Sequence, residues 1–210
     1  MAEMMKKLAG KFLVIDGPDG AGKTTQINLL INHLAAGGLE VCKVRDPGGT
    51  AIGDKIRQIL LDRQHEEMSV RCELMLYMAS RAQLAHQVIR PALAAGRCVV
   101  GDRYISSTVA YQGAGGMDGR EIQEAGRIAV GDTLPDLTVI LNLPAETGLG
   151  RLKGAPDRME AKAMEFHRRV RELFLQQAAQ APDRFAVVDA AGSVEEVQQR
   201  ILAAIAKWIG

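Results

Sequence analysis

Short, nearly continuous apolar runs recur along the chain at Phe12–Ile15, Val41–Val44, Cys98–Val100, Leu137–Leu143 and Phe185–Val188. Continuity, rather than alternation with polar residues, is the pattern of strands covered on both faces. The connections between them are long enough for helices, and crossovers of that length join parallel strands in a right-handed sense. Helical patterns occupy those connections. Residues 24–36 end at the stop signal Gly37-Gly38, and residues 69–95 form a long helical zone that Pro91 kinks or divides. Ser193 opens a last helix whose Val194, Val197, Ile201 and Ile205 form one apolar stripe. The pattern predicts an α/β fold, a doubly wound five-stranded parallel sheet flanked by helices. Gly113–Gly119 reads as a flexible surface loop. Residues 150–158 interrupt a helical pattern with Gly150, Gly154 and Pro156, and read as a short lid.

Composition changes this picture little. The 210 residues are expected to form one domain, residues 1–210, with 47% hydrophobic and 24% charged residues. The formal net charge of +1 creates no global field that would demand nucleic acid or an anionic membrane. Cys42, Cys72 and Cys98 form no C-x-x-C pair, and the four histidines lack metal-ligand spacing. No sustained apolar stretch follows Lys6-Lys7, so neither a signal peptide nor a membrane span is expected and a reducing cytoplasm is the expected compartment.

Chemistry enters directly after the first strand. Gly17-Pro18-Asp19-Gly20-Ala21-Gly22-Lys23-Thr24 is G-x-x-x-x-G-K-T between a strand and a helix, the setting of a phosphate-binding loop. Glycines let backbone N–H groups surround a polyphosphate, Lys23 reaches the β- and γ-phosphates, and the Thr24 hydroxyl suits Mg²⁺. At the carboxyl end of the third strand, Asp102 faces the same crevice and could hold Mg²⁺ through water, while Arg103 suits a second phosphate or carboxylate. After the second strand, Arg45-Asp46-Pro47-Gly48-Gly49-Thr50 makes a tight turn at the crevice, and its Asp46-x-x-Gly49 also matches the switch motif of GTPases. Glu73, Tyr77 and Arg81 share one helical face, and from spacing alone packing is a better reason for them than base recognition. Arg151, Lys153 and Arg158 provide cations in the lid.

Together these segments resemble the thymidylate kinases, the nucleoside monophosphate kinases that phosphorylate dTMP. The resemblance runs from about Lys11 to Ile205. It is carried by Asp16 through Gln26, by Arg45 through Thr50, and above all by Asp102-Arg103-Tyr104-Ile105-Ser106-Ser107-Thr108-Val109-Ala110-Tyr111-Gln112-Gly113, with Arg81-Ala82-Gln83 and Glu165-Phe166-His167 in support. It implies ATP as phosphoryl donor, dTMP as acceptor, Mg²⁺ as cofactor and a homodimer. It further implies that Asp19 approaches the deoxyribose and Mg²⁺ region, that Arg45 and Arg103 hold the dTMP phosphate, and that Tyr77 stacks on thymine. Arg81 would bond a thymine carbonyl, Thr108 and Gln112 would line the base site, and Tyr111 would crowd the 2′ position. Members of the family supply a catalytic arginine from the phosphate loop or from the lid. Gly20 occupies the loop position here, so the lid is expected to supply it, Arg151 first with Lys153 and Arg158 in support. Asp16 and Asp46 stand where the family usually has Glu, Asn142 stands for a common Asp, and the lid is shorter and poorer in arginine. A kinase for another nucleoside monophosphate is the nearest alternative. A GTPase-type switch should carry an Asn/Thr-Lys-x-Asp motif, and residues 130–200 contain none. A non-catalytic ATP-binding scaffold would not need the acceptor-side residues.

Overall fold

The computed structural model describes residues 2–210. Five parallel strands, β1 (Phe12–Asp16), β2 (Val41–Arg45), β3 (Cys98–Asp102), β4 (Leu137–Asn142) and β5 (Phe185–Asp189), form one sheet in the order β2-β3-β1-β4-β5. The helices are α1 (Ala2–Leu8), α2 (Lys23–Ala36), α3 (Ala51–Leu61), α4 (Val70–Leu84), α5 (Arg90–Ala94) and α6 (Ile105–Ala114). They continue with α7 (Gly119–Val130), α8 (Ala145–Leu149), α9 (Met164–Gln180) and α10 (Val194–Ile209).

Alternate residues of β1 face opposite layers, which is why its sequence reads as an unbroken apolar run. Leu13 and Ile15 pack with Leu30, Leu34, Ile201 and Ile205 from α2 and α10. Phe12 and Val14 pack on the other face with Leu84, Ile89 and Tyr104. Every expected strand is present, each now ending on a polar residue at the carboxyl edge. Ser193 caps α10 in a reciprocal capping box with Glu196, which satisfies otherwise orphaned N–H groups at the helix start.

Three details differ from expectation. Helix α1 was not visible in the pattern; its Met5 and Leu8 are buried against the α2–α10 layer, too few apolar positions to show a period. The 69–95 zone is divided by a π-helical turn at Ala85–Ile89, and Pro91 sits in the first turn of α5 where its missing N–H costs nothing. The glycine-rich stretch at 113–119 shrinks to residues 115–118, because α6 continues to Ala114 and α7 starts at Gly119.

The chain passes from β1 to one side of the sheet and later to the other, so a crevice opens at the carboxyl ends of β1 and β3. Asp16 and Asp102 end those strands, and the loop 17–22 bridges directly to α2.

Candidate active site

One cavity of about 500 Å³ lies over this crevice. It joins the loop after β1 to side chains from β2, α3, α4, α6 and the segment after α8.

On the loop side, Lys23 is folded back, its Nζ donating to the carbonyls of Gly17 (3.0 Å) and Pro18 (2.7 Å). Burial lowers its pKa to about 8, with Arg103 acting in the same direction and Asp19, Asp16 and Asp102 opposing. Gly20 has φ +72°, and a Cβ there would come 1.8 Å from the carbonyl oxygen of Gly148 at α8. A Cβ on Gly148 would in turn meet the Asp19 carbonyl oxygen at 2.3 Å. The two backbones touch, so no side chain of any kind fits on the loop at position 20. The Thr24 hydroxyl and an Asp102 carboxylate oxygen converge at 3.4 Å beneath the loop. Among the described residues no group of three or more His, Cys, Asp or Glu could hold a metal. A hydroxyl and one carboxylate of oxygen donors suit a Mg²⁺ that keeps most of its waters and takes its remaining ligands from phosphate.

Arg103 ties the loop to the opposite wall. Its guanidinium pairs with Asp19 and Asp16 and donates to the Gly17 carbonyl (3.2 Å) and the Ser107 hydroxyl (3.0 Å). It lies 5.0 Å from the Tyr111 ring centre, and the Tyr111 hydroxyl donates to Asp19 at 2.7 Å. Burial opposes the charge on Asp19, but Arg103, Lys23 and the Tyr111 hydroxyl outweigh it and hold its pKa below the usual carboxylate value. Arg103 is the sole non-glycine residue with positive φ (68°) among the described residues, a conformation that costs roughly 1 kcal/mol or more and aims its side chain back at the loop.

Asp16, short for its position in the resemblance, is fully buried and accepts from the hydroxyls of Ser106 (2.6 Å) and Ser107 (2.7 Å) and from the Gly17 N–H (2.8 Å). Asp46 is buried in an ion pair with Arg81 and remains hydrogen-bonded on one oxygen, the other having no partner. Burial raises the pKa of Asp46, with Arg81 counteracting. Asn142 accepts from Arg171 at 2.8 Å.

The deeper half of the cavity is lined by Tyr77, Arg81, Thr108 and Gln112. Arg81 is fixed by Asp46, by the Thr108 hydroxyl (2.8 Å) and by the Tyr104 carbonyl (3.2 Å), leaving Nη1 only the weak sulfur of Met78. Gln112 donates to Glu73 at 2.7 Å, and its buried Oε1 has no partner. Arg45 lines the cavity rim and pairs with Asp54 across 3.5 Å.

One expectation fails. Arg158 is not a mobile lid cation: it is 4% exposed, its guanidinium pairs with Glu73, and its Nε donates to the Leu60 carbonyl at 2.7 Å. The Asp157 carboxylate accepts from the N–H groups of Met159 (2.8 Å) and Glu160 (2.9 Å), which fixes the turn holding Arg158. Arg151 and Lys153 are exposed, and only Arg151 of the two lines the cavity. Arg57 on α3 was missed; it lines the cavity beside Arg45 and donates to the Pro47 carbonyl at 3.1 Å. Burial and then Arg45 lower its pKa. No local motif marks it, since it enters the site only through the packing of α3 on the turn after β2.

Comparison with known proteins identifies the family. The family model described as thymidylate kinase matches residues 15–201. The chain is 44% identical over 208 residues to a thymidylate kinase of Solidesulfovibrio magneticus, covering 94% of this chain and all of that protein. A thymidylate kinase of Desulfosudis oleivorans is 44% identical over 204 residues, covering 92% and 95% of the two chains. The crystal structure of the Ehrlichia chaffeensis thymidylate kinase superposes with a TM-score of 0.79 at 29% identity, over 94% of this chain and 99% of that one. With the phosphate loop, the arginine after β3 and the buried arginine of α4 in one cavity, and with the match running across nearly the whole sequence, the chain belongs to the thymidylate kinase family.

Proposed function

We propose that the protein transfers the γ-phosphoryl group of ATP to dTMP, releasing ADP and dTDP. The observation that carries this reading is that one cavity joins the phosphate loop to a recess lined by Tyr77, Arg81, Thr108 and Gln112, where Arg81 Nη1 meets only the sulfur of Met78 and the buried Gln112 Oε1 has no partner. ATP would lie with its phosphates in the loop 17–24, with Lys23 swinging from the Gly17 and Pro18 carbonyls to the β- and γ-oxygens. In the recess, Tyr77 would stack on the base, Arg81 would donate to a base carbonyl, and Thr108 and Gln112 would complete the edge. Arg45 and Arg103 would hold the acceptor phosphate, with Arg57 behind them. Tyr111, anchored on Asp19, would crowd a 2′-hydroxyl.

The acceptor is an ionised phosphate oxygen, so the site needs positioning and charge neutralisation more than a strong base. Thr24 and Asp102 would hold Mg²⁺, which when bound neutralises charge on the phosphates. Arg103 would set the acceptor oxygen in line while Arg151, helped by Lys153, covers the transferring group. The segment 150–156 then serves as the lid of one kinase domain spanning the chain. With Gly20 closed against Gly148, the loop can contribute no cation from position 20.

We further read the enzyme as a cytoplasmic homodimer. Ile52 and Ile59 on α3 and Met75 on α4 are exposed apolar side chains on neighbouring helices, a face suited to a second copy. The three cysteines are free, as a reducing compartment would keep them, and no described helix is long and apolar enough to cross a membrane. Sedimentation as a monomer at micromolar concentration would count against the dimer.

The direct test is ADP release from ATP with a panel of nucleoside monophosphates. Strong turnover with dTMP and little with UMP, CMP, AMP or GMP is expected. Equal use of several panel members would refute the assignment of the recess.

A further inference from the structure

We infer that Glu73, held by Arg158, sets which pyrimidines the recess accepts by fixing the amide of Gln112 with its oxygen free; this rests on the acceptor assignment proposed above. Neither Glu73 nor Arg158 reaches the recess as a base-reading group. Their effect passes through Gln112.

Gln112 is 1% exposed and lines the cavity, and its Nε2 donates to Glu73 Oε1 at 2.7 Å. The two ends of an amide are alike in shape, so their orientation is decided by the groups they face. An ionised carboxylate only accepts hydrogen bonds, and so it admits the –NH₂ end and repels the oxygen. The end left over is Oε1, which is buried and without a partner. Glu73 thereby turns an ambidextrous side chain into a dedicated acceptor.

The carboxylate can do this because it is itself held. Glu73 is 5% exposed, and its second oxygen pairs with the Arg158 guanidinium, whose Nε is fixed on the Leu60 carbonyl. A buried carboxylate with no such partner carries a large desolvation cost. The chain of contacts therefore runs from the turn at Asp157 through Arg158 and Glu73 to Gln112. Chain separations of 85 residues for the ion pair and 39 for the amide contact place it beyond any local motif.

The chemistry selected follows from the pattern in the recess. Arg81 offers a donor and Gln112 a fixed acceptor. Thymine and uracil present a carbonyl beside N3–H, an acceptor beside a donor, and complement both groups. Cytosine presents an amino group beside a bare ring nitrogen and is mismatched at both. Were the Gln112 amide free to rotate, it could donate to that ring nitrogen and half of the discrimination would vanish. The 5-methyl group, which separates thymine from uracil, is untouched by this device.

The test is Glu73→Gln, which replaces the carboxylate with an amide that can meet Gln112 in either sense. kcat/KM is measured with dTMP, dUMP and dCMP, alongside thermal melting. The unmodified enzyme is expected to favour dTMP over dCMP by at least about 100-fold, as a site with two buried hydrogen-bonding groups does. In Glu73→Gln the dTMP:dCMP ratio should fall about tenfold or more, while the dTMP:dUMP ratio stays within about twofold. An unchanged dTMP:dCMP ratio in folded Glu73→Gln would overturn the inference, and so would a parallel collapse of both ratios, which is the mark of general loosening. Should Glu73→Gln fail to fold, Glu73→Gln/Arg158→Met removes both buried charges and is read by the same ratios. An unmodified enzyme that does not favour dTMP over dCMP would refute the acceptor assignment itself, a result distinct from failure of the variant alone.

Discussion

Lys23 allows the phosphate-loop assignment to be tested through a proton. Burial first, then Arg103, lowers its pKa from 10.5 to about 8 in the free protein. A bound polyphosphate supplies compensating negative charge, so Lys23 in the complex should stay protonated beyond pH 9. Binding must then draw in about half a proton at pH 8 and about nine-tenths at pH 9. Relative to pH 7, affinity for ADP should fall about twofold at pH 8 and about tenfold at pH 9, the latter ~1.4 kcal/mol. Calorimetric titration with ADP in two buffers of different ionisation enthalpy reads the uptake directly. Lys23→Arg stays charged throughout this range and should abolish it. Negligible uptake at pH 9 in the unmodified protein, or undiminished uptake in Lys23→Arg, would refute the reasoning. The same shift makes the charged lysine a cost to the free fold, because its folded pKa lies below its unfolded value. Between about pH 8 and 10.5 the unfolded chain binds more protons at this site, so the contribution of Lys23 makes stability rise with pH there, by up to ~1.4 kcal/mol per unit.

Arg151→Ala should lower kcat by about 10²-fold or more with an unchanged unfolding midpoint in urea, whereas Arg158→Ala should cost about 3–5 kcal/mol of stability by stranding Glu73. The reverse pattern would restore Arg158 as the mobile cation. Arg81→Ala should raise KM for dTMP far more than for ATP and also destabilise the fold by leaving Asp46 buried and unpaired. Arg81→Ala/Asp46→Asn should recover most of the stability and none of the dTMP affinity; recovery of both would make Arg81 purely structural. Gly20→Ala should abolish ADP binding measured by calorimetry, since its Cβ would overlap the Gly148 carbonyl oxygen at 1.8 Å on top of a left-handed strain of roughly 1 kcal/mol. Retained affinity would mean that the two backbones part easily.

The acceptor-side residues were legible for a different reason from the strands. Asp102-Arg103 and Arg45-Asp46 follow buried strands directly, and in an open parallel sheet the carboxyl ends of strands face the ligand crevice wherever the helices go. Helical spacing favoured packing for Tyr77 and Arg81, because one face of a helix looks the same whether it packs on protein or on ligand and packing is the commoner case. The resemblance implies base recognition for both, and the two line one cavity with Thr108. Arg57 gave no signal, since a lone arginine on an amphipathic helix carries no record of which turn it will lie against. Arg158 misled for the converse reason: a basic residue in a glycine-interrupted segment reads as exposed until its buried partner is known.

By itself the sequence determined the five strands, the clearly periodic helices and the phosphate-loop motif, because strand burial, helix periodicity and the glycine pattern of such a loop are properties of a few consecutive residues. Only the tertiary structure decided which charges are free and which are spent. Arg151 faces the cavity while Arg158 is locked on Glu73, and Gly20 is closed by Gly148, all through contacts between residues far apart in the chain. Burial and pairing set what a charge can do, and both depend on neighbours that folding alone brings together.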